Sequence, residues 1–217
     1  MEGLIFTRPS RREDEPALRA LWKTVFGDED AFLDLFFREL YAPGMAAVVP
    51  VGDGIAAAAY ALPMGEYRYI YAVATLPEFR GRGLGRAVTL AAADGRGAYL
   101  CPAGEALKRW YADTMGAVPA AFRAKETLPE ERLPLAPEEY SRRREELLSG
   151  VPHPVYPSAY LALFALSGGF FADGNGGIWA AAEDGTVEEH LPSSPGGEPV
   201  VYALNGAPPL HWGITLS

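Results

Sequence analysis

Three arginines and three glycines are concentrated in one short segment, Arg80-Gly81-Arg82-Gly83-Leu84-Gly85-Arg86. An apolar run, Tyr69 to Leu76, precedes the segment, and an Ala-rich stretch typical of a helix follows it. Glycines allow tight turns that expose backbone N–H groups. The start of a helix adds unpaired amides and the positive end of its dipole. Together with the arginine side chains, these features predict a phosphate-binding loop and therefore a phosphorylated cofactor.

Two familiar phosphate-binding patterns do not fit this loop. The dinucleotide fingerprint needs a third glycine where the chain has Arg86, and the nucleoside-triphosphate loop needs a Gly-Lys-Ser/Thr sequence that the segment lacks. An ordinary flexible connection between a strand and a helix is the remaining alternative. The chain carries a formal net charge of −9, so a local group of three cations argues for a specific role.

The pattern that fits is Arg-x-x-Gly-x-Gly, with Arg80, Gly83 and Gly85 at its fixed positions and Thr75-Leu76-Pro77 before it. It resembles the acetyl-coenzyme A signature of the GNAT superfamily of N-acetyltransferases. The resemblance covers about residues 4–128 and implies acetyl-CoA as co-substrate. It further implies that the strand before the loop and the next strand splay apart, with the pantetheine arm of the co-substrate between them. It also implies which residues bind this co-substrate: for the pantetheine arm, Val73, Ala74 and Thr75, and for the pyrophosphate, Arg80, Gly81, Arg82, Gly83, Leu84, Gly85 and Arg86.

Transfer of an acetyl group to an amine needs a proton for the departing thiolate and a way to deprotonate the amine. The resemblance implies Tyr111 as the acid, although Gly116 follows it by five residues and not by the usual four. Tyr111 also lies on the apolar stripe of its predicted helix, so a structural role stays open. Glu66 is the candidate base by the same resemblance, and the terminal carboxylate of Ser217 and a water chain are alternatives.

Other residues that could do chemistry have a simpler interpretation. Asp28, Glu29 and Asp30 lie between the first two predicted helices, where relatives bind the acceptor, but we expect them to cap a helix. We expect Cys101 to be a buried cysteine and not a nucleophile. The three histidines lack partners at metal-ligand spacing, so no metal site is predicted.

Composition limits the class of protein. The chain has 217 residues, 49% hydrophobic and 22% charged, with a single cysteine. One cysteine excludes a disulfide framework and suits a cytoplasmic location. No apolar run is long enough to span a bilayer, and the acidic balance argues against nucleic acid as a partner.

The order of predicted elements gives the architecture. Strand and helix patterns alternate as strand, two helices, three strands, helix, strand, helix and strand, which is the GNAT order. The second helix is predicted to continue to about Leu40, and the last strand to cover 122–128. The resemblance implies how the strands pair, so the predicted fold is α/β (α+β), with a mixed, mostly antiparallel sheet flanked by helices and a small C-terminal α+β lobe. The predicted divisions are a domain at 1–128, a charged linker or helix at 129–150 and the lobe at 151–217. Within that lobe, 168–177 is expected to be a hairpin loop, followed by strand-like runs at 178–183 and 186–190 around Asp184-Gly185. Further strands are expected at 199–204 and 211–216.

The sequence therefore predicts an N-acetyltransferase that moves an acetyl group from acetyl-CoA to a primary amine by direct attack. The acceptor would be a small molecule or a peptide, and a homodimer is compatible with the resemblance. Two alternatives stay open. One is a catalytically degenerate acyl-CoA-binding regulatory module, and the other is a protein-interaction module that uses the phenylalanine-rich second helix.

Overall fold

The computed structural model describes residues 5–193 and 196–216 and contains two β-sheets. The larger has seven strands, in the order β1-β2-β3-β4-β5-β11-β6. They are Arg8–Pro9 (β1), Ala46–Val51 (β2), Gly54–Met64 (β3), Tyr67–Thr75 (β4), Ala98–Leu100 (β5), Val118–Arg123 (β6) and Glu198–Leu204 (β11). Only β4 and β5 pair in parallel, among the strands described, and the other neighbours are antiparallel. The predicted mixed, mostly antiparallel sheet is confirmed.

Helices cover both faces of this sheet. They are Glu15–Val25 (α1), Asp30–Leu35 (α2), Leu84–Ala93 (α3) and Gly104–Met115 (α4). Tyr69 and Ile70 are neighbours on β4 but belong to different buried clusters, because successive side chains of a strand point to opposite faces. The cluster that contains Tyr69 includes α1 and α2, and we call its side of the sheet the acceptor face. The cluster that contains Ile70 includes α3 and α4 and marks the donor face.

The first two helices follow from their apolar spacing, with one difference from the prediction. Leu18, Leu21 and Trp22 recur on one side of α1 and are buried. The second helix was expected to run unbroken to Leu40, but α2 ends at Leu35 and a π-helical turn covers Phe36–Leu40. The wider turn lets the adjacent residues Phe36 and Phe37 both reach the core.

The second sheet has four strands in the order β10-β9-β8-β7. They are Leu133–Leu135 (β7), Gly168–Ala172 (β8), Ile178–Ala182 (β9) and Val187–Leu191 (β10), accompanied by helices at Pro137–Leu147 (α5) and Ser158–Phe164 (α6). The hairpin of β9 and β10 lies where the sequence predicted it. Strand β8 occupies part of the stretch expected to be a loop, because Phe170 and Ala172 pack inward despite the glycines around them.

The sheets do not divide at the predicted domain boundaries. Strand β11 was assigned to the C-terminal lobe, yet it pairs with β5 and β6 and completes the first sheet. The last strand of the first region, expected at 122–128, is β6 and ends at Arg123. The segment 211–216 has no regular secondary structure, so the strand expected there is absent. Pairing between distant segments has no local sequence signal, which explains these corrections.

Candidate active site

The glycine-rich loop has the conformation that the sequence predicted. Gly81 and Gly83 have φ values of +72° and +77°, a region that favours glycine, and Gly83 directly precedes α3. A Cβ atom on Gly85 would lie 3.6 Å from Thr75 Oγ1 and 3.7 Å from Trp110, so the first turn of α3 packs closely against the end of β4. The loop therefore presents the N-terminus of a ten-residue helix beside that strand.

The three arginines of this loop are exposed and donate hydrogen bonds to backbone carbonyls. Arg80 Nε donates to Thr75 O at 3.2 Å, Arg82 Nη2 to Glu78 O at 3.0 Å, and Arg86 Nε to Thr114 O at 3.1 Å. Their charges are not neutralised by carboxylates in these contacts. The guanidinium groups therefore add to the positive potential of the helix terminus, as an anionic ligand requires.

Strands β4 and β5 separate beside this loop. Their parallel pairing joins Tyr69 to Tyr99 and Ile70 to Leu100, after which β5 ends while β4 continues to Thr75. Among the described strands, the edge of β4 beyond Ile70 thus has no partner on this side. This separation is the splayed geometry that the resemblance implied.

Strand β4 also contains a β-bulge at the point of separation. Ala58 pairs with Ala74, and Tyr60 pairs with Tyr71, so Ala72 and Val73 together oppose one residue of β3. Ala72 has a φ of +48°, which a residue with a Cβ seldom adopts. A bulge leaves backbone N–H groups outside the regular ladder, and this one lies where β4 and β5 separate.

A cleft of about 290 Å³ occupies this gap. On the donor face, its walls include Ile70, Val73 and Tyr111, which belong to the donor-face cluster or pack against it. On the acceptor face, they include Trp22, Tyr69 and Tyr71, which belong to the acceptor-face cluster or pack against it. The opening therefore connects the two faces of the sheet. The other residues that line it are Phe26, Asp28, Ala72, Leu100, Cys101, Ala103, Leu107 and Leu216.

The cleft includes one of the two predicted catalytic residues. Tyr111 on α4 is buried, and this burial raises the pKa of its phenol to about 12, with a hydrogen bond to Thr89 acting in the opposite direction. The structure does not bring Glu66 to the cleft. Glu66 lies exposed in the turn between β3 and β4, at the other end of β4 from the bulge. Ser217, the alternative, lies outside the described residues.

The structure assigns a different place to the acidic segment before α2. The residue that precedes this helix is Glu29, and it makes no capping hydrogen bond through its side chain, so that part of the expected capping role is wrong. Asp30 does lie in the first turn, where an acidic residue was expected. Asp28 lines the cleft instead, and its Oδ2 accepts a hydrogen bond of 2.6 Å from Trp22 Nε1. Desolvation by burial, followed by the negative charge of Asp28, raises the pKa of Tyr71.

The C-terminal segment forms another wall, and the second sheet holds it there. Glu188 accepts hydrogen bonds from Thr215 N and Oγ1 at 3.1 and 2.7 Å and pairs with Arg123 at 2.5 Å. A register shift in β10 lets Glu189 also point inward, where it pairs with Arg144. These buried glutamates position the C-terminal segment so that Leu216 lines the cleft.

Cys101 directly follows β5 and is half-buried, less than the full burial that was expected. Burial raises the pKa of its thiol, although Arg123 and a hydrogen bond with Thr215 act in the opposite direction. A thiol with a raised pKa is a poor nucleophile at neutral pH. Among the residues described, no group of three potential ligands could hold a metal ion, and no helix is both long and apolar enough to cross a membrane.

Comparison with known proteins identifies the class to which this arrangement belongs. Residues 11–100 match the model of the acetyltransferase (GNAT) family, so this part of the chain is a GNAT domain. A search of curated proteins finds no significant match.

Solved structures agree with this fold assignment. A GCN5-related N-acetyltransferase from Anabaena variabilis is 13% identical, with a TM-score of 0.59 over 94% of this chain and 67% of that one. One from Kribbella flavida is 17% identical, with a TM-score of 0.54 over 85% of this chain and 57% of that one. The chain spans about half the length of several structures that it matches. At these identities the likeness establishes the fold alone.

Sequence reasoning missed several residues of the cleft. Trp22 and Phe26 follow the helical spacing of a core face, so nothing in the pattern distinguishes a pocket wall from ordinary packing. Leu216 reaches the cleft through contacts with a distant sheet, for which the sequence has no signal. Asp28 had a signal, because it lies between two helices in a region that the resemblance connected with the acceptor.

Proposed function

We propose that the protein transfers an acetyl group from acetyl-CoA to a primary amine. The observation that supports this most strongly is the cleft between β4 and β5, which connects both faces of the sheet and has the arginine- and glycine-rich loop beside it. Such an opening allows a long donor to enter from one face and an acceptor to meet its reactive end from the other.

The residues of the donor face fit a CoA molecule. The pyrophosphate would bind the amides of the loop and of the first turn of α3, with Arg80, Arg82 and Arg86 around it. The pantetheine arm would lie along the free edge of β4, where Val73, Ala74 and Thr75 present backbone groups without a strand partner on that side. Its amides would pair with this edge as an added strand does.

The reacting groups would meet at the bulge. Acetyl-CoA supplies the thioester carbon that the amine attacks. Backbone N–H groups at Ala72 and Val73 would donate hydrogen bonds to the thioester oxygen, which gains negative charge as the amine attacks. Tyr111 would donate its phenolic proton toward the sulfur as the C–S bond breaks and regain a proton from the nitrogen that forms the amide bond.

A direct test is turnover of acetyl-CoA with a panel of primary amines, measured by release of free CoA thiol. Acetylation of at least one amine at a rate above solvent hydrolysis is expected. Tight binding of acetyl-CoA with no turnover for any amine would contradict the enzymatic proposal and support the regulatory acyl-CoA-binding alternative.

A further inference from the structure

The acceptor-face end of the cleft combines a single carboxylate with aromatic walls. Among the described residues that line the cleft, Asp28 is the one with a carboxyl group. Trp22, Phe26 and Tyr71 surround it, with ring centroids 5.7 Å apart for both Trp22–Phe26 and Trp22–Tyr71. Aromatic faces and a carboxylate both attract a cation, and the faces also bind apolar groups.

The carboxylate of Asp28 is held in a fixed orientation. Gly27 lies between the end of α1 and Asp28 and has a φ of +77°, which lets the chain turn back toward that helix. The bond from Trp22 Nε1 then fixes Oδ2 of Asp28. No hydrogen bond or ion pair involves Oδ1 among the described residues, so this oxygen can accept a hydrogen bond from a ligand.

We propose that the acceptor is a small amine with one positive charge and an aromatic or compact apolar body. Its ammonium group binds Oδ1 of Asp28, and its body packs against Trp22, Phe26 and Tyr71. This inference rests on the proposed function and specifies the substrate class of the same site.

Size and charge both limit the acceptor. The cleft measures about 290 Å³, near the lower end of the range for small-molecule pockets, and it must also admit the end of the donor. A second cationic group on the acceptor would meet apolar walls and lose its hydration without a counter-ion. A carboxylate on the acceptor would be repelled by Asp28. The site therefore favours a monocationic amine over a polyamine or an amino acid.

The proton balance is consistent with this binding mode. The bound ammonium first gives one proton to Asp28 or to water and becomes nucleophilic. The neutral nitrogen then forms its bond to the acetyl carbon, and the C–S bond breaks. The second nitrogen proton replaces the one that Tyr111 donates to sulfur, so the products are the amide, the free thiol and one proton.

The test is calorimetric titration of the full chain with 2-phenylethylamine in the presence of CoA, together with kinetics for the same amine. Asp28→Asn is expected to weaken binding and raise KM at least tenfold, because a charge-assisted hydrogen bond is lost. The variant's affinity for acetyl-CoA should stay unchanged, which also reports that it is folded. Glu29→Gln is the matched control, since this neighbouring carboxylate is exposed and does not line the cleft.

Two further comparisons test the aromatic contribution and the charge limit. Phe26→Ala should weaken binding of 2-phenylethylamine about threefold while leaving binding of propylamine unchanged. Phe26 is 43% exposed, so its removal should not unfold the chain. Spermidine and phenylalanine should bind at least tenfold more weakly than 2-phenylethylamine.

The outcomes separate this inference from the proposed function. Binding that depends on Asp28 without any acetylation would support the acceptor site and contradict the enzymatic proposal. Acetylation of other amines with no effect of Asp28→Asn would support the enzyme and overturn the acceptor site. Failure of 2-phenylethylamine to bind at millimolar concentration would also overturn it.

Discussion

Replacing Tyr111 with phenylalanine removes the proposed acid and little else. The phenol is buried on α4, and the ring would keep its packing in the donor-face cluster. Loss of the hydroxyl and its hydrogen bonding costs about 1 kcal/mol of stability. The fold and the affinity for acetyl-CoA should therefore survive the substitution.

The pKa of Tyr111 sets the expected size of the kinetic effect. With a pKa of about 12, the phenol is a weaker acid than an alkyl thiol, whose pKa is about 8.5. Complete transfer to a free thiolate would be uphill by roughly 5 kcal/mol. Tyr111 would thus act by donating a hydrogen bond that strengthens as sulfur gains charge. We expect Tyr111→Phe to lower kcat about 100-fold, at the low end for acid catalysis.

The assay is steady-state release of CoA thiol with a saturating amine, at pH values from 7 to about 10. The raised pKa predicts that wild-type kcat does not fall from ionisation of Tyr111 in this interval. Tyr202→Phe is the matched control, because Tyr202 is another buried tyrosine of the same cluster and does not line the cleft. A kcat for Tyr111→Phe within twofold of wild type would refute the acid role. An equal loss in the control would show that packing, not proton donation, matters.

Other predictions concern the loop and the buried charges. Arg82→Gln should weaken acetyl-CoA binding, measured by calorimetry, about three- to tenfold at low salt and by a smaller factor at high salt. The control Arg96→Gln should leave this affinity unchanged. Equal effects of the two substitutions would contradict the loop assignment. Glu189→Gln should lower the free energy of unfolding by about 3–5 kcal/mol, because Arg144 is left buried without the carboxylate of Glu189. A decrease of less than about 1 kcal/mol in urea denaturation would contradict this prediction. Although burial opposes ionisation, Arg144 and His211 lower the pKa of Glu189 from 4.5 to about 2. Its contribution to stability should therefore be complete above pH 4.5 and decline as pH falls toward 2; acid melts without such a decline in wild type would refute it.

Local patterns were sufficient for the elements around the loop. The strand before it, the glycines at Gly81 and Gly83 and the following helix all depend on short-range periodicity and backbone freedom, which a sequence records directly. The separation of β4 from β5 came from the family resemblance, and the structure confirms it.

Long-range contacts account for what the sequence did not predict. Strand β11 joins the first sheet from almost 100 residues beyond β5, and its own residues contain no mark of the partner that it pairs with. The bulge at Ala72 occupies a run that looks like regular strand. Asp28 was interpreted as a helix cap because acidic residues often cap helices, while its contact with Trp22 depends on tertiary packing. These examples share one cause, since each depends on which distant surface a segment meets.

The central claim is that the loop before α3 binds the phosphates of acetyl-CoA. The most direct measurement is calorimetric titration of wild type, Gly83→Val and Gly95→Val with acetyl-CoA. Both glycines have a positive φ, +77° and +67°, so both substitutions strain the backbone, but only Gly83 belongs to the loop. Micromolar binding by wild type and by Gly95→Val, lost in Gly83→Val, is the result that the account predicts. No binding by wild type, or unchanged affinity in Gly83→Val, would contradict it.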